Sequence, residues 1–302
     1  MEHQSKQRKT AYNINELRNE TAVDLDDKNL FTIPEEIGYH KNLKSLSLYK
    51  NQLTGVPVTV WQLTKLEVLN LAENKFVSLP EEIGNLTKLR MLDLGHNGLK
   101  ELPQSLGKLT ALKFLYLSNN YLSSVPESLE NLKELFYLNI TDNQLSSLPK
   151  NIGKLTKLIE LRIYNNQLKS LPTTIGNLTG LRELHVMNNE LTSLPEAIGK
   201  LKNLLKLMLQ GNRIKSLPDS LGDASNLTDL DLRFNKLTNL PHSTGELKHL
   251  RFLDLRANKL SSLPESIANL KSLEKLDLRW NRLETIPAWF TKLENRGCII
   301  YT

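Results

Sequence analysis

Thiols are nearly absent from this chain: Cys298 is the only cysteine among 302 residues. No intrachain disulfide can form, so extracellular repeat domains with cysteine-stapled ends are a poor match and a reducing, cytoplasmic home is expected. No apolar run approaches the ~20 residues that a bilayer crossing needs, which disfavours a membrane-spanning reading. The first twenty residues, MEHQSKQRKTAYNINELRNE, are too polar for a cleavable secretory signal, leaving export without one as the alternative location. Catalytic signatures are missing as well. There is no GxxxxGK[ST], no strand-associated GxGxxG and no HExxH, and the six histidines (His3, His40, His96, His185, His242, His249) are scattered. Neither an enzyme, a cofactor nor a metal centre is expected on these grounds.

Aromatic residues make up 6% of the chain, charged residues 24% and hydrophobic residues 39%, values of a soluble globular protein. The formal charge of +6 is uneven: residues 1–150 hold 17 basic and 18 acidic side chains, and residues 151–302 hold 22 and 15. A modestly basic second half bears on solubility and weak association rather than on a site, and nucleic acid is a poor fit as a partner.

Period is what the chain has in abundance. All twelve prolines, from Pro34 to Pro287, stand 23 residues apart, and asparagine keeps the same beat from Asn51 to Asn281. Between the two combs the unit reads LxxLxLxxNxLxxLPxxIGxLxx, seen cleanly in residues 158–180, LIELRIYNNQLKSLPTTIGNLTG. Alternation of period two makes LxLxx a short strand that sends Leu161 and Ile163 to the core and Glu160, Arg162 and Tyr164 to the opposite face. One unit cannot bury its own leucines, so stability must come from stacking neighbours, and strands ~4.8 Å apart give a twelve-strand face about 55 Å long. The asparagine has a structural task after the strand, pairing backbone groups that would otherwise be buried alone. Proline then fixes φ at the start of a helical turn on the return path.

This pattern resembles the leucine-rich repeat, and the LPxxIGxLxxL half is similar to the 23-residue class of intracellular Ras-group, plant and bacterial members. The resemblance spans residues 20 to 302 and implies an α/β solenoid, a horseshoe with a parallel concave sheet and short helical turns outside. It carries little about the partner. The expected organisation is a polar N-terminal segment over 1–20 with a capping helix at 11–20, about twelve repeats over 21–293, and a capping strand over 294–302 whose parity puts Ile299 and Tyr301 toward the core. Lys28 and His40 break the pattern in the first unit, and both ends carrying atypical units implies a complete, free-standing domain. Ala224 and Thr244 stand where leucine and isoleucine belong, so the core is expected to thin there.

Three strand positions per unit face the hollow and are free to encode recognition. These 36 positions, about 12% of the chain, hold nine of the eighteen Phe, Tyr and non-initiator Met residues, where random placement gives about two. The partner-binding expectation therefore rests on Phe114, Tyr116, Tyr137, Asn139, Arg162, Tyr164, His185, Met187 and Met208, since aromatic residues and arginine dominate interface hot spots and methionine adapts to irregular partners. Cross-strand aromatic pairing alone accounts for part of this enrichment. Arg233, Arg256 and Arg279, from three copies of Asp-Leu-Arg, extend the surface, either as a self-neutralised ladder or as anchors for carboxylates or phosphates. The function expected is a non-catalytic scaffold, a monomer that binds a protein and no membrane. The alternatives are an exported bacterial effector, a regulatory subunit, an enzyme using the His185 region, or a binder of anionic ligands through the arginine ladder.

Overall fold

A computed structural model describes residues 20–302; the expected capping helix at 11–20 falls almost wholly outside that range. Thirteen strands of three residues follow one another: Ala22–Asp24 (β1), Ser45–Ser47 (β2), Val68–Asn70 (β3), Met91–Asp93 (β4), Phe114–Tyr116 (β5), Tyr137–Asn139 (β6), Glu160–Arg162 (β7), Glu183–His185 (β8), Lys206–Met208 (β9), Asp229–Asp231 (β10), Phe252–Asp254 (β11), Lys275–Asp277 (β12) and Ile299–Tyr301 (β13). They form one open, all-parallel sheet in sequence order. From β1 to β12 each residue pairs with the one 23 positions later, as in Leu138↔Leu161 and Leu161↔Leu184.

The core is a stack of identical columns. Leu161 and Ile163 are completely buried, as are Leu138, Ile140, Leu184 and Val186 in the flanking coils. On the return path most coils make a single 3₁₀ turn. Pro172, held at φ −66°, precedes the turn Thr173–Asn177, and its carbonyl accepts from the Ile175 N–H at 3.0 Å. The glycine of the IG pair sets how closely coils stack: a Cβ on Gly176 would lie 2.4 Å from the Ala197 carbonyl oxygen of the next turn, so only glycine fits.

The asparagine comb holds the inner turns. Asn166 Nδ2 donates to the carbonyls of Ile140 (2.9 Å), Ile163 (3.2 Å) and Tyr164 (3.2 Å), while its Oδ1 accepts from the Leu145 N–H at 2.9 Å. One side chain thus satisfies backbone groups in two coils. The residue before each comb asparagine from Asn51 to Asn281 adopts positive φ; the set includes Asn165, Gly211 and, unusually for bulky side chains, Phe234 (54°) and Trp280 (62°).

At the N-terminal end the aspartates knit β1 to β2 rather than standing free. Asp26 accepts from Ser47 Oγ at 2.6 Å and the Tyr49 N–H at 2.8 Å, Asp24 accepts from the Asp26 N–H, and Asp27 pairs with Lys50 at 3.1 Å. Ala224 and Thr244 are both completely buried, and the Thr244 hydroxyl finds no hydrogen-bond partner among the described residues.

The C-terminal strand corrects the parity expectation. Its register is Lys275↔Ile299, Leu276↔Ile300, Asp277↔Tyr301, a step of 24 residues instead of 23. The last connection carries a short α-helix, Phe290–Glu294 (α1), followed by Gly297 at φ +88°. One extra residue flips every side chain of a strand to the opposite face. Ile300 therefore packs on the core, while Ile299 and Tyr301 are exposed on the concave side.

Candidate partner-binding face

Because the sheet is in register, concave-facing residues form columns that run across the strands. Phe114, Tyr137, Glu160, Glu183 and Lys206 stand in the first column, and Tyr116, Asn139, Arg162, His185 and Met208 in the second. Tyr164, Met187, Arg233, Arg256 and Arg279 belong to the third, two residues beyond the last residues of their strands. All the residues expected on this face lie there, half-buried except for the more exposed Phe114.

Not all are equally available. The Tyr116 and Tyr137 rings meet at 5.1 Å between centroids, tilted by 40°, and the Arg162 guanidinium lies 5.8 Å from the Tyr137 centroid. Burial pushes both tyrosine hydroxyls above their ordinary range, so they remain protonated donors at neutral pH. Asn139 is partly engaged in the fold itself, since its Oδ1 accepts from the Thr141 N–H at 3.1 Å. Asn70 serves Ala72 and Asp93 serves Gly95 in the same way, and Asp93, partly buried, has its carboxyl raised by desolvation.

Next to the tyrosines is a charged cluster. Arg162 donates from Nε to Glu160 Oε1, Lys206 Nζ lies 2.9 Å from Glu183 Oε1, and His185 Nε2 lies 3.0 Å from Glu183 Oε2 and 3.9 Å from Glu160 Oε1. Burial alone would raise the Glu183 carboxyl, but hydrogen bonds from Lys206 and His185 outweigh it and hold the group below the usual carboxylate range.

The three Asp-Leu-Arg copies form a closed ladder. Each arginine grips the aspartate two residues earlier through Nε and Nη2: Arg233 on Asp231 at 2.9 and 2.7 Å, Arg256 on Asp254 at 3.0 and 2.7 Å, Arg279 on Asp277 at 2.9 and 2.7 Å. Cross-strand contacts of 3.5 Å join Arg233 to Asp254 and Arg256 to Asp277. The Asp277 side chain is fully buried. Desolvation would raise its carboxyl, yet the bonds from Arg279 and the charge of Arg256 prevail and lower it. Tyr301 closes the end with its ring 5.0 Å from the Arg279 guanidinium, a contact open to it only because β13 has slipped by one residue.

Between these clusters a shallow depression is lined by Met208, Asp229, Asp231, Phe252, Asp254 and Lys275. Of these only Met208 is among the residues expected to bind a partner, although Phe252 counts among the nine aromatic and methionine residues of the face and Asp231 and Asp254 belong to the Asp-Leu-Arg copies. Asp229, Phe252 and Lys275 stand in the same column as Tyr137, where strand parity places them, but fall outside the expected binding set. Cys298 offers no nucleophile: it is buried, and burial pushes its thiol up, away from the reactive thiolate.

The comparisons with known proteins agree with this architecture. A family profile described as leucine-rich repeat region matches residues 66–135 and 104–190, and one described as leucine rich repeat matches 21–76, 179–237 and 225–283. No curated protein sequence matches the chain. A leucine-rich repeat protein of Leptospira interrogans is 33% identical over 96% of this chain and 86% of that one, with a TM-score of 0.66. An internalin of Listeria monocytogenes is 25% identical over 95% and 88%, at 0.78. The ectodomain of the Arabidopsis thaliana receptor kinase GASSHO1/SCHENGEN3, solved in complex with CASPARIAN STRIP INTEGRITY FACTOR 2, is 34% identical over 89% of this chain but only 37% of its own length, at 0.72. Profile matches across nearly the whole described chain, together with one-third identity to a solved relative of similar length, show that this protein belongs to the leucine-rich repeat family.

Proposed function

We infer that the chain is a non-catalytic protein-binding scaffold whose partner seats on the concave face, centred on β5 to β9. The observation that carries this reading is the Tyr116–Tyr137 pair with Arg162 against it, displayed on a rigid sheet beside Tyr164, Met187 and Met208. Such a patch combines large apolar area, hydroxyl donors and a planar cation, the chemistry enriched at interface centres. Complexes of similar structures support the general class: a plant peptide hormone receptor was solved with RGF2, and FLRT2 within an octameric assembly with Latrophilin 3 and Unc5D. The anionic-ligand alternative is weaker because every arginine of the ladder already spends two donors on its own aspartate. A reducing cytoplasm is the proposed location, on the chemistry of a chain with a single, buried thiol.

The test is a comparison of captured partners from the native cell using wild type, Tyr137→Lys/Met187→Lys, and Glu196→Lys on the convex turn as a control. Loss of a specific prey from the double variant alone supports the concave site. Equal recovery from all three moves the site elsewhere.

A further inference from the structure

We propose that Glu160, Glu183 and His185 form a binding site for a zinc-class divalent metal ion in the concave face. The three side chains come from β7 and β8, where Glu160 and Glu183 are register partners and His185 follows Glu183 by two residues on the same face. One donor atom from each lies within 4.8 Å of the others. A tetrahedral ion with bonds of about 2.0–2.2 Å needs donor separations of about 3.3–3.6 Å. The observed spacings of His185 Nε2, 3.0 Å to Glu183 Oε2 and 3.9 Å to Glu160 Oε1, bracket that value, and the proton that Nε2 now shares with Glu183 is released to solvent or moved to Nδ1 when the nitrogen binds the ion. One imidazole with two carboxylates suits zinc and its neighbours in the first transition row; magnesium prefers oxygen donors in a stricter octahedron. Placement on consecutive strands also supplies rigidity, and a three-ligand set leaves one position open toward the hollow.

Two cations compete for the same carboxylates, and they make the proposal sharp. Lys206 occupies Oε1 of Glu183, which leaves Oε2, the oxygen facing His185, for a metal. Arg162 is the true competitor, because its Nε takes the Glu160 oxygen nearest His185. It has somewhere to go: its guanidinium already lies 5.8 Å from the Tyr137 ring centroid, where a cation is favourably placed. Metal entry thus exchanges an ion pair for a coordinate bond and leaves the cation–π contact in place. A merely structural ion-pair network makes the opposite demand, since it needs Arg162 in place.

The experiment titrates the untagged full chain, stripped with EDTA and gel-filtered, with Zn²⁺ alone by calorimetry in a non-chelating buffer. Binding at this site is expected to weaken at least about tenfold in H185Q and in E160Q, and to tighten several-fold in R162Q, which removes the competing cation. Melting curves in EDTA verify that each variant is folded; should H185Q be unstable, E160Q and R162Q together decide. Unchanged zinc affinity in H185Q and E160Q, meaning that the ion sits at another histidine, overturns the proposal. So does an R162Q chain that binds zinc no more tightly than wild type.

Discussion

Replacing Asn166 by alanine removes a side chain that bonds to four backbone groups across two turns of the stack, and the loss can be worked out group by group. The Leu145 N–H has Asn166 Oδ1 as its partner at 2.9 Å and lies in a buried position, so it is orphaned outright. The Ile140 carbonyl loses its 2.9 Å donor and keeps only a 3.4 Å contact from Asn143. An unsatisfied buried donor costs ~1–3 kcal/mol, and a half-satisfied carbonyl less, which places the loss at ~2–3 kcal/mol. Asn281, the last of the comb, makes equivalent bonds from a partly exposed position where water can replace it. Asn281→Ala is therefore expected to cost ~1 kcal/mol or less. Urea denaturation followed by circular dichroism gives the two differences, and native-state hydrogen exchange reads the Leu145 amide directly. Protection of Leu145 should fall in Asn166→Ala and stay unchanged in Asn281→Ala. Equal costs at the two sites, or a Leu145 amide that keeps its protection without Asn166, would refute the reasoning.

Two further substitutions exploit polar groups that the core holds at a disadvantage. Thr244→Val keeps the shape of a fully buried side chain and removes a hydroxyl with no partner among the described residues; a gain of about 1 kcal/mol in urea denaturation is expected, and a loss would show that the hydroxyl is bonded after all. Asp93→Asn keeps the acceptor for the Gly95 N–H and removes a charge whose burial raises its carboxyl above the usual range. A raised folded-state value means that the ionised form destabilises the fold at neutral pH and that this penalty fades as pH falls through the folded value toward the unfolded one. The variant should be more stable than wild type in urea denaturation at pH 7 and match it near pH 3; a constant difference across that range would contradict this account.

Most of the fold was legible because the unit is repeated. A single Leu161/Ile163 alternation is a weak signal, but the same alternation 23 residues away on both sides fixes strand, face and register together. The failure at β13 came from the one connection whose length departs from the comb: counting 23 from Leu276 lands on Ile299, whereas α1 and Gly297 consume one more residue and deliver Ile300. Periodicity cannot report its own interruption. The face was legible as columns, and Tyr137, Arg162 and His185 fell where expected. The pairings within it were not, because which oxygen of Glu160 or Glu183 a neighbour takes depends on rotamers that strand parity leaves free. Whether the arginine ladder was open or closed was likewise undecidable from three copies of Asp-Leu-Arg; the bidentate grips decide it.

The constant register from β1 to β12 makes the sheet a ruler graduated in strands of about 4.8 Å. Excising the one unit that carries β9 would leave the Tyr116–Tyr137–Arg162 patch and the Asp–Arg ladder each intact while drawing them one graduation closer. Excising 22 or 24 residues would instead turn every leucine downstream toward water, until something absorbed the mismatch as the final helix does before β13. Duplication and loss of whole 23-residue units are thus the changes of length that keep the register, and they retune the distance between the tyrosine patch and the ladder without redesigning either.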